Sequence, residues 1–236
     1  MLKTDKDRKR LLAMKRFRAG ADILTSADAP PLVIDDRWRY LKPSDQGQTS
    51  RCATEAMLSA TEAARWEAFG KKEQLDAAAA YKKALAREYE TNEDAGTSLF
   101  TPIEVQALDD KTIEECALSN QRAVMDVVTV EALADQIMRL RHRYGFGCLV
   151  GLNITEAVMN ANADGTIPDG QLDIVGPHGL TICGYRAPRA GNAVHMVNSW
   201  GPKHAWNGFL RLTWEQFKGM FLYAVGFEMK VRQQNA

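Results

Sequence analysis

Cys52 lies in the stretch Asp45-Gln46-Gly47-Gln48-Thr49-Ser50-Arg51-Cys52-Ala53-Thr54-Glu55-Ala56, where a polar turn runs straight into an alanine-rich pattern of helical spacing. A thiol in the first turn of a helix sees the partial positive charge of the orphan backbone N–H groups. That charge favours the thiolate, which is the reactive form. Gln46, six residues earlier, carries an amide whose NH2 can face the oxygen that turns negative when a thiolate attacks a carbonyl. Such chemistry also needs an imidazole to share the proton and a group to orient that imidazole. Taken alone, Cys52 is better read as one of four cysteines, because free cysteine is most often a small buried apolar residue.

A second stretch changes that balance. It runs Gly176-Pro177-His178-Gly179-Leu180-Thr181-Ile182-Cys183-Gly184-Tyr185, and is followed by Asn198-Ser199-Trp200-Gly201 and Asn207-Gly208-Phe209-Leu210. With Gln46 and Cys52 these residues resemble the papain-like (C1) cysteine peptidases, in which a Gln and a Cys open a helix, a His opens one strand and Asn-Ser-Trp-Gly ends another. That family places its His and Asn roughly 130–150 residues beyond the Cys. Here the intervals are 126 residues to His178 and 146 to Asn198. The resemblance runs from about Pro31 to Phe227 and is to a compact, disulfide-free, bacterial-type member.

The resemblance implies an α+β, two-lobe papain-like fold with the active-site cleft between a helical lobe and an antiparallel sheet lobe. It implies a thiol endopeptidase acting on polypeptide, with Cys52 as nucleophile, His178 as the imidazole, Asn198 as its orienter and Gln46 as oxyanion donor beside the Cys52 N–H. Trp200 would shield the His178 to Asn198 hydrogen bond, and Gly96 would offer its backbone to substrate from a cleft wall. A glycine required only by a turn would look the same at position 96. Gly179 occupies a position that shapes the family's main specificity pocket. With no side chain there, the pocket is expected to be roomy and to accept a bulky apolar residue at the second position before the cut.

The pattern departs from the family in three places. Thr49 stands where a second cysteine is usual, which removes a disulfide. Ala53 replaces an aromatic residue, and His204-Ala205 replaces a Trp-Gly pair, with Trp206 following. Among the other histidines, His195 falls within a strand pattern on the face opposite Asn198 and reads as structural. His204 lies in the loop after the tryptophan and reads as an edge of the cleft, while His142 faces solvent. The same triad also serves acyl transfer, deamidation or removal of a ubiquitin-like modifier, and a papain fold can survive as a catalytically idle binding module.

Composition describes an ordinary globular chain: 236 residues, 45% hydrophobic, 25% charged and formal net charge +0. No apolar run reaches membrane-spanning length and no signal-peptide core opens the sequence. The expected location is the cytoplasm, or delivery as an effector without a classical signal peptide. With no CxxC, HExxH or paired Cys/His spacing, neither metal nor cofactor is expected. Residues 1–30 form a basic N-terminal extension; within its first 20 residues eight Lys or Arg face Asp5 and Asp7. Either a solvated tail or a short amphipathic helix through Leu11, Leu12, Met14 and Phe17 fits it, and its expected partner is an acidic surface or protein rather than nucleic acid.

The peptidase domain is expected over 31–236, with a helical lobe at about 50–125 and a sheet lobe at about 126–230. Helices are expected at Cys52 to Gly70, about Leu75 to Glu90 and Val130 to Arg143. Another is expected from a capping box at Thr101-Pro102-Ile103-Glu104. Strands are expected at Cys148 to Ile154, Leu180 to Tyr185, Ala193 to Trp200, Gly208 to Thr213 and Leu222 to Met229. Helices first and strands later read as α+β.

Overall fold

A computed structural model describes residues 15–16, 29–34, 40–70, 72–89, 93–109, 113–116, 122–124, 126–169 and 173–231. The chain is α+β. Its helices are α1 (Cys52–Phe69), α2 (Ala77–Tyr89), α3 (Phe100–Asp109), α4 (Val130–Tyr144), α5 (Glu156–Met159) and α6 (Trp214–Met220). Its strands are β1 (Lys15–Arg16), β2 (Val33–Ile34), β3 (Ile113–Cys116), β4 (Arg122–Val124), β5 (Cys148–Thr155), β6 (Ile174–Arg186), β7 (Ala193–Val197), β8 (Phe209–Leu212), β9 (Phe221–Gly226) and β10 (Met229–Val231). The main sheet has the order β1-β4-β9-β5-β6-β7-β8, with β2 added to β6, while β10 and β3 pair separately. All its ladders are antiparallel except that between β1 and β4.

The central strand β5 is apolar from Cys148 to Leu152 because both faces of the sheet are covered there. Cys148, Val150, Leu152 and Ile154 pack with the α4 residues Leu133, Ile137 and Leu140 and the α6 residues Trp214 and Phe217. Leu149 points the other way, into a cluster with Ala53, Ala56, Met57 and Ala60 of α1 and Phe100 and Ile103 of α3. This period-two alternation separates the two halves of the core. On α1 the inward positions are mostly alanine, and Ala56, Ala60 and Ala63 are buried. Small side chains let this helix lie close against β6.

Local chemistry sets the ends of these elements. Gly70 closes α1 in the left-handed region at φ 68°, and its N–H donates to Trp66 O at 2.8 Å. Thr129 caps α4 by accepting from the Ala132 N–H at 3.1 Å. Helix α3 begins at Phe100, so Thr101 and Pro102 stand inside its first turn and not at the N-cap and first helical position expected of them. The sequence reading also passes over α6, a seven-residue helix held by a reciprocal capping box between Thr213 and Gln216. Strand β6 runs 13 residues, starting well before Leu180, and a register shift between Ile182 and Gly184 turns Tyr185 to the face opposite Cys183.

Most of the basic N-terminal stretch lies outside the described residues, Leu11, Leu12, Met14 and Phe17 among them. Lys15–Arg16, where a tail or a helix was expected, is extended and pairs with Arg122 and Ala123. Among the described residues no helix is long and apolar enough to cross a membrane.

Candidate active site

Helix α1 starts at Cys52, and the residue before it, Arg51, makes no side-chain cap. The first-turn N–H groups are therefore left to the thiol and whatever approaches it. Strand β6 brings His178 to the same place, opposite Leu152 of β5. The approach of β6 to α1 depends on Gly179: a Cβ there would stand 3.0 Å from both Ala53 Cα and Leu99 Cδ2. Farther along β6, the Thr181 hydroxyl donates to Ala56 O at 2.7 Å, fastening strand to helix. The missing side chain at Gly179 thus serves close packing; the space it leaves is already taken by α1 and Leu99.

Asn198 follows β7, its N–H donating to Gly208 O at 2.9 Å. Its Oδ1 accepts from the Ser199 N–H at 2.8 Å and lies 2.8 Å from His178 Nε2. An Oδ1 already oriented as an acceptor requires the proton on Nε2, so Nδ1 is the nitrogen left for Cys52. Burial opposes ionisation of the thiol. The hydrogen bond and charge of His178, with the N–H groups of Gly179 and Ala53, overcome it and lower the Cys52 pKa. Burial likewise opposes the imidazolium, but the hydrogen bond and charge of Cys52, followed by Asn198, raise the His178 pKa. The two shifts are one coupled event that favours thiolate with imidazolium.

Gln46 reaches this pair because the loop before α1 is stitched to the loop after β7. The Gln46 N–H donates to Ser199 O at 2.8 Å and the Gly201 N–H to Ser44 O at 2.8 Å. The Ser199 hydroxyl donates to Gln46 Oε1 at 2.5 Å, which orients the amide so that Nε2 donates to Thr49 O at 2.6 Å. One N–H of that nitrogen remains at the cleft that Gln46 lines. Trp200 lies with its ring 4.8 Å from that of His178, tilted by 35°. A cleft of about 260 Å³ runs past Gln46, Cys52, Gly96, Leu99, His178, Gly179 and Tyr223.

Gly96 is placed in the cleft wall at φ 67°, but its N–H donates to Tyr81 Oη at 2.9 Å. That half of the backbone expected for substrate is committed within the protein. His204 is closer to the chemistry than the cleft edge expected of it. Its Nε2 lies 3.2 Å from Met159 O, its Nδ1 lies 3.5 Å from Asn198 Nδ2, and its ring meets Trp200 edge-on at 4.8 Å. The one signal in the sequence was that His204 replaces a tryptophan of the resembled pattern. His195 lies on β7 opposite Gly184 and Arg211, away from the thiol, and lines a separate hollow of about 610 Å³. Among the described residues no group of His, Cys, Asp or Glu is arranged to hold a metal ion.

No protein-family model matches the chain and no curated protein matches it by sequence. Solved structures do match. Xylellain, a cysteine protease from Xylella fastidiosa, is 14% identical with a TM-score of 0.66 over 93% of this chain and 96% of its own. The ragweed pollen cysteine protease Amb a 11 in its proform is 16% identical, TM-score 0.60, over 89% of this chain and 67% of its own. Procathepsin L 3 of the Tenebrio molitor larval midgut is 16% identical, TM-score 0.60, over 91% of this chain and 73% of its own. The chain has the papain-like fold.

Proposed function

We propose that the chain is a cysteine peptidase that hydrolyses peptide bonds of polypeptide substrates through Cys52, His178 and Asn198. The observation that carries this reading is the His178 imidazole, held at Nε2 by Asn198 Oδ1 at 2.8 Å and facing Cys52 with its other nitrogen. The Cys52 thiolate attacks the scissile carbonyl carbon, forming a C–S bond while the carbonyl π electrons move to oxygen. The Cys52 N–H and Gln46 Nε2 donate to that oxyanion. Its collapse breaks the C–N bond, and His178 gives its Nδ1 proton to the departing amine. Water then loses a proton to the neutral imidazole and attacks the thioester, releasing the acid and restoring the pair.

Asn198 keeps the imidazole in the orientation this sequence needs, and Trp200 shelters their hydrogen bond from water. Gly96 and Gly179 line the floor and wall along which an extended peptide would lie. We place the work of the enzyme in the cytoplasm, where free thiols such as Cys52, Cys148 and Cys183 persist. Incubation with unfolded casein, read by mass spectrometry of new amino termini, tests the reaction. New termini with wild type and none with Cys52→Ala are expected. Amide exchange or side-chain deamidation without new termini would replace peptide-bond cleavage by another reaction of the same triad.

A further inference from the structure

The wall of the cleft that carries Gly96 is a loop between α2 and α3, and two side chains tie it to the loop that leads into Cys52. The Asp94 carboxylate accepts from the Ser50 N–H at 2.9 and 3.1 Å, two residues before the thiol. The same carboxylate accepts from the Tyr81 hydroxyl at 2.7 Å, and that hydroxyl accepts from the Gly96 N–H at 2.9 Å. We propose that Tyr81 and Asp94 form a clasp that positions this wall against the nucleophile loop, setting how an extended peptide is held beside Cys52. The proposal rests on the peptidase reading above for its consequence, though not for its geometry.

Three features support a positioning role. Tyr81 is 7% exposed on α2, a helix with otherwise little buried surface, so its ring anchors the hydroxyl within the fold. Hydrogen bonds to a carboxylate are shorter and stronger than neutral ones, and two donors, the Ser50 N–H and the Tyr81 hydroxyl, converge on one acid. Burial, then the bond to Asp94, raises the Tyr81 pKa, so the phenol remains a donor across the working pH range. Because the clasp occupies the Gly96 N–H, the wall meets a peptide with a shape set by Tyr81 and not with that donor. Tyr81 and Asp94 touch no reacting atom; their effect is on the reach of a long substrate and not on the thiolate.

Two reagents separate these effects. Cys52 is labelled at pH 6 with iodoacetamide, which needs only the thiolate, and with a tripeptidyl vinyl sulfone, which must also lie along the wall. For Tyr81→Phe and Asp94→Ala the peptidyl rate should fall about tenfold, with the iodoacetamide rate within about twofold of wild type. Asp94→Asn, which keeps an acceptor oxygen, should retain most of the peptidyl rate. Unchanged peptidyl labelling in both variants, or a parallel fall with both reagents, overturns the clasp. Amide hydrogen exchange at Ser50 and Gly96 reads the clasp without any reaction at Cys52: faster exchange in Tyr81→Phe supports it and unchanged exchange overturns it. Absence of iodoacetamide labelling of wild type at pH 6 would instead count against the peptidase reading.

Discussion

The tautomer of a single ring links the site to its surroundings. His178 donates through Nε2 only if Asn198 presents Oδ1, and the Ser199 N–H makes that orientation the favoured one. His204 acts on the other end of the same amide. With its Nε2–H directed at Met159 O, its Nδ1 lone pair faces Asn198 Nδ2 at 3.5 Å, a long and weak hydrogen bond. His204→Ala should therefore lower kcat modestly, by about three- to tenfold, with KM little changed. His204→Gln, which can keep both an acceptor and a donor, should recover most of the loss. Equal kcat in wild type and His204→Ala would reduce this ring to packing against Trp200.

At the scale of elements, the thiol, the imidazole and the orienting amide come from a helix start, a strand and a strand end. What holds these together is the contact of α1 with β6, made by Gly179 and the alanines of α1. Another tie sits on the far side of α1, where Glu62 Oε1 accepts the Leu75 N–H at 2.6 Å and holds the lead-in to α2. Burial, reinforced by the charge of Glu55 and opposed by the Leu75 N–H, pushes the Glu62 carboxyl up to about 7. The folded chain thus keeps a proton there that the unfolded chain releases near 4.5. Stability contributed at this site is full below the unfolded value and is lost as pH rises toward about 7. Glu62→Gln should remove that slope and stabilise the protein at pH 8 by about 1–3 kcal/mol. Thermal melts of both proteins between pH 5 and 8 check it, and an unchanged slope in the variant would contradict it.

Elements also differ in how legible they were. The ends of α1 and α4 are written in Gly70 and in the periodicity from Val130, and β5 in an apolar run bounded by Gly147. Helix α6 was hidden because seven residues show too little periodicity, although Thr213 and Gln216 carry its capping box. The early start of β6 shows no strand pattern because Gly176 and Pro177 are poor strand formers, and yet they pair with Ile154 and Asn153. Tyr81 and Asp94 gave no signal, since a tyrosine on a helix and an aspartate in a loop acquire meaning only when the fold brings them to Gly96 and Ser50.

For the whole molecule, the fold was legible because the spacing of Cys52, His178 and Asn198 is a long-range pattern that local periodicity cannot mimic. Sequence identities of 14–16% to structures with TM-scores of 0.60–0.66 show how little else in the sequence that fold requires. What it requires is two half-cores on either face of one sheet, with small residues where α1 and β6 meet. On the proposed reading, this architecture delivers a thiolate paired with an imidazolium.

Intact-mass kinetics of iodoacetamide labelling across pH 4 to 10 test it, with Cys52→Ala and His178→Ala as controls. The Cys52 pKa is lowered and the His178 pKa raised, so a single label should enter at Cys52 well below the free-thiol value of about 8.5, and lose that low-pH reactivity in His178→Ala. Labelling that rises only near the free-thiol value, or spreads over several cysteines, would contradict a thiolate and imidazolium pair at Cys52 and His178.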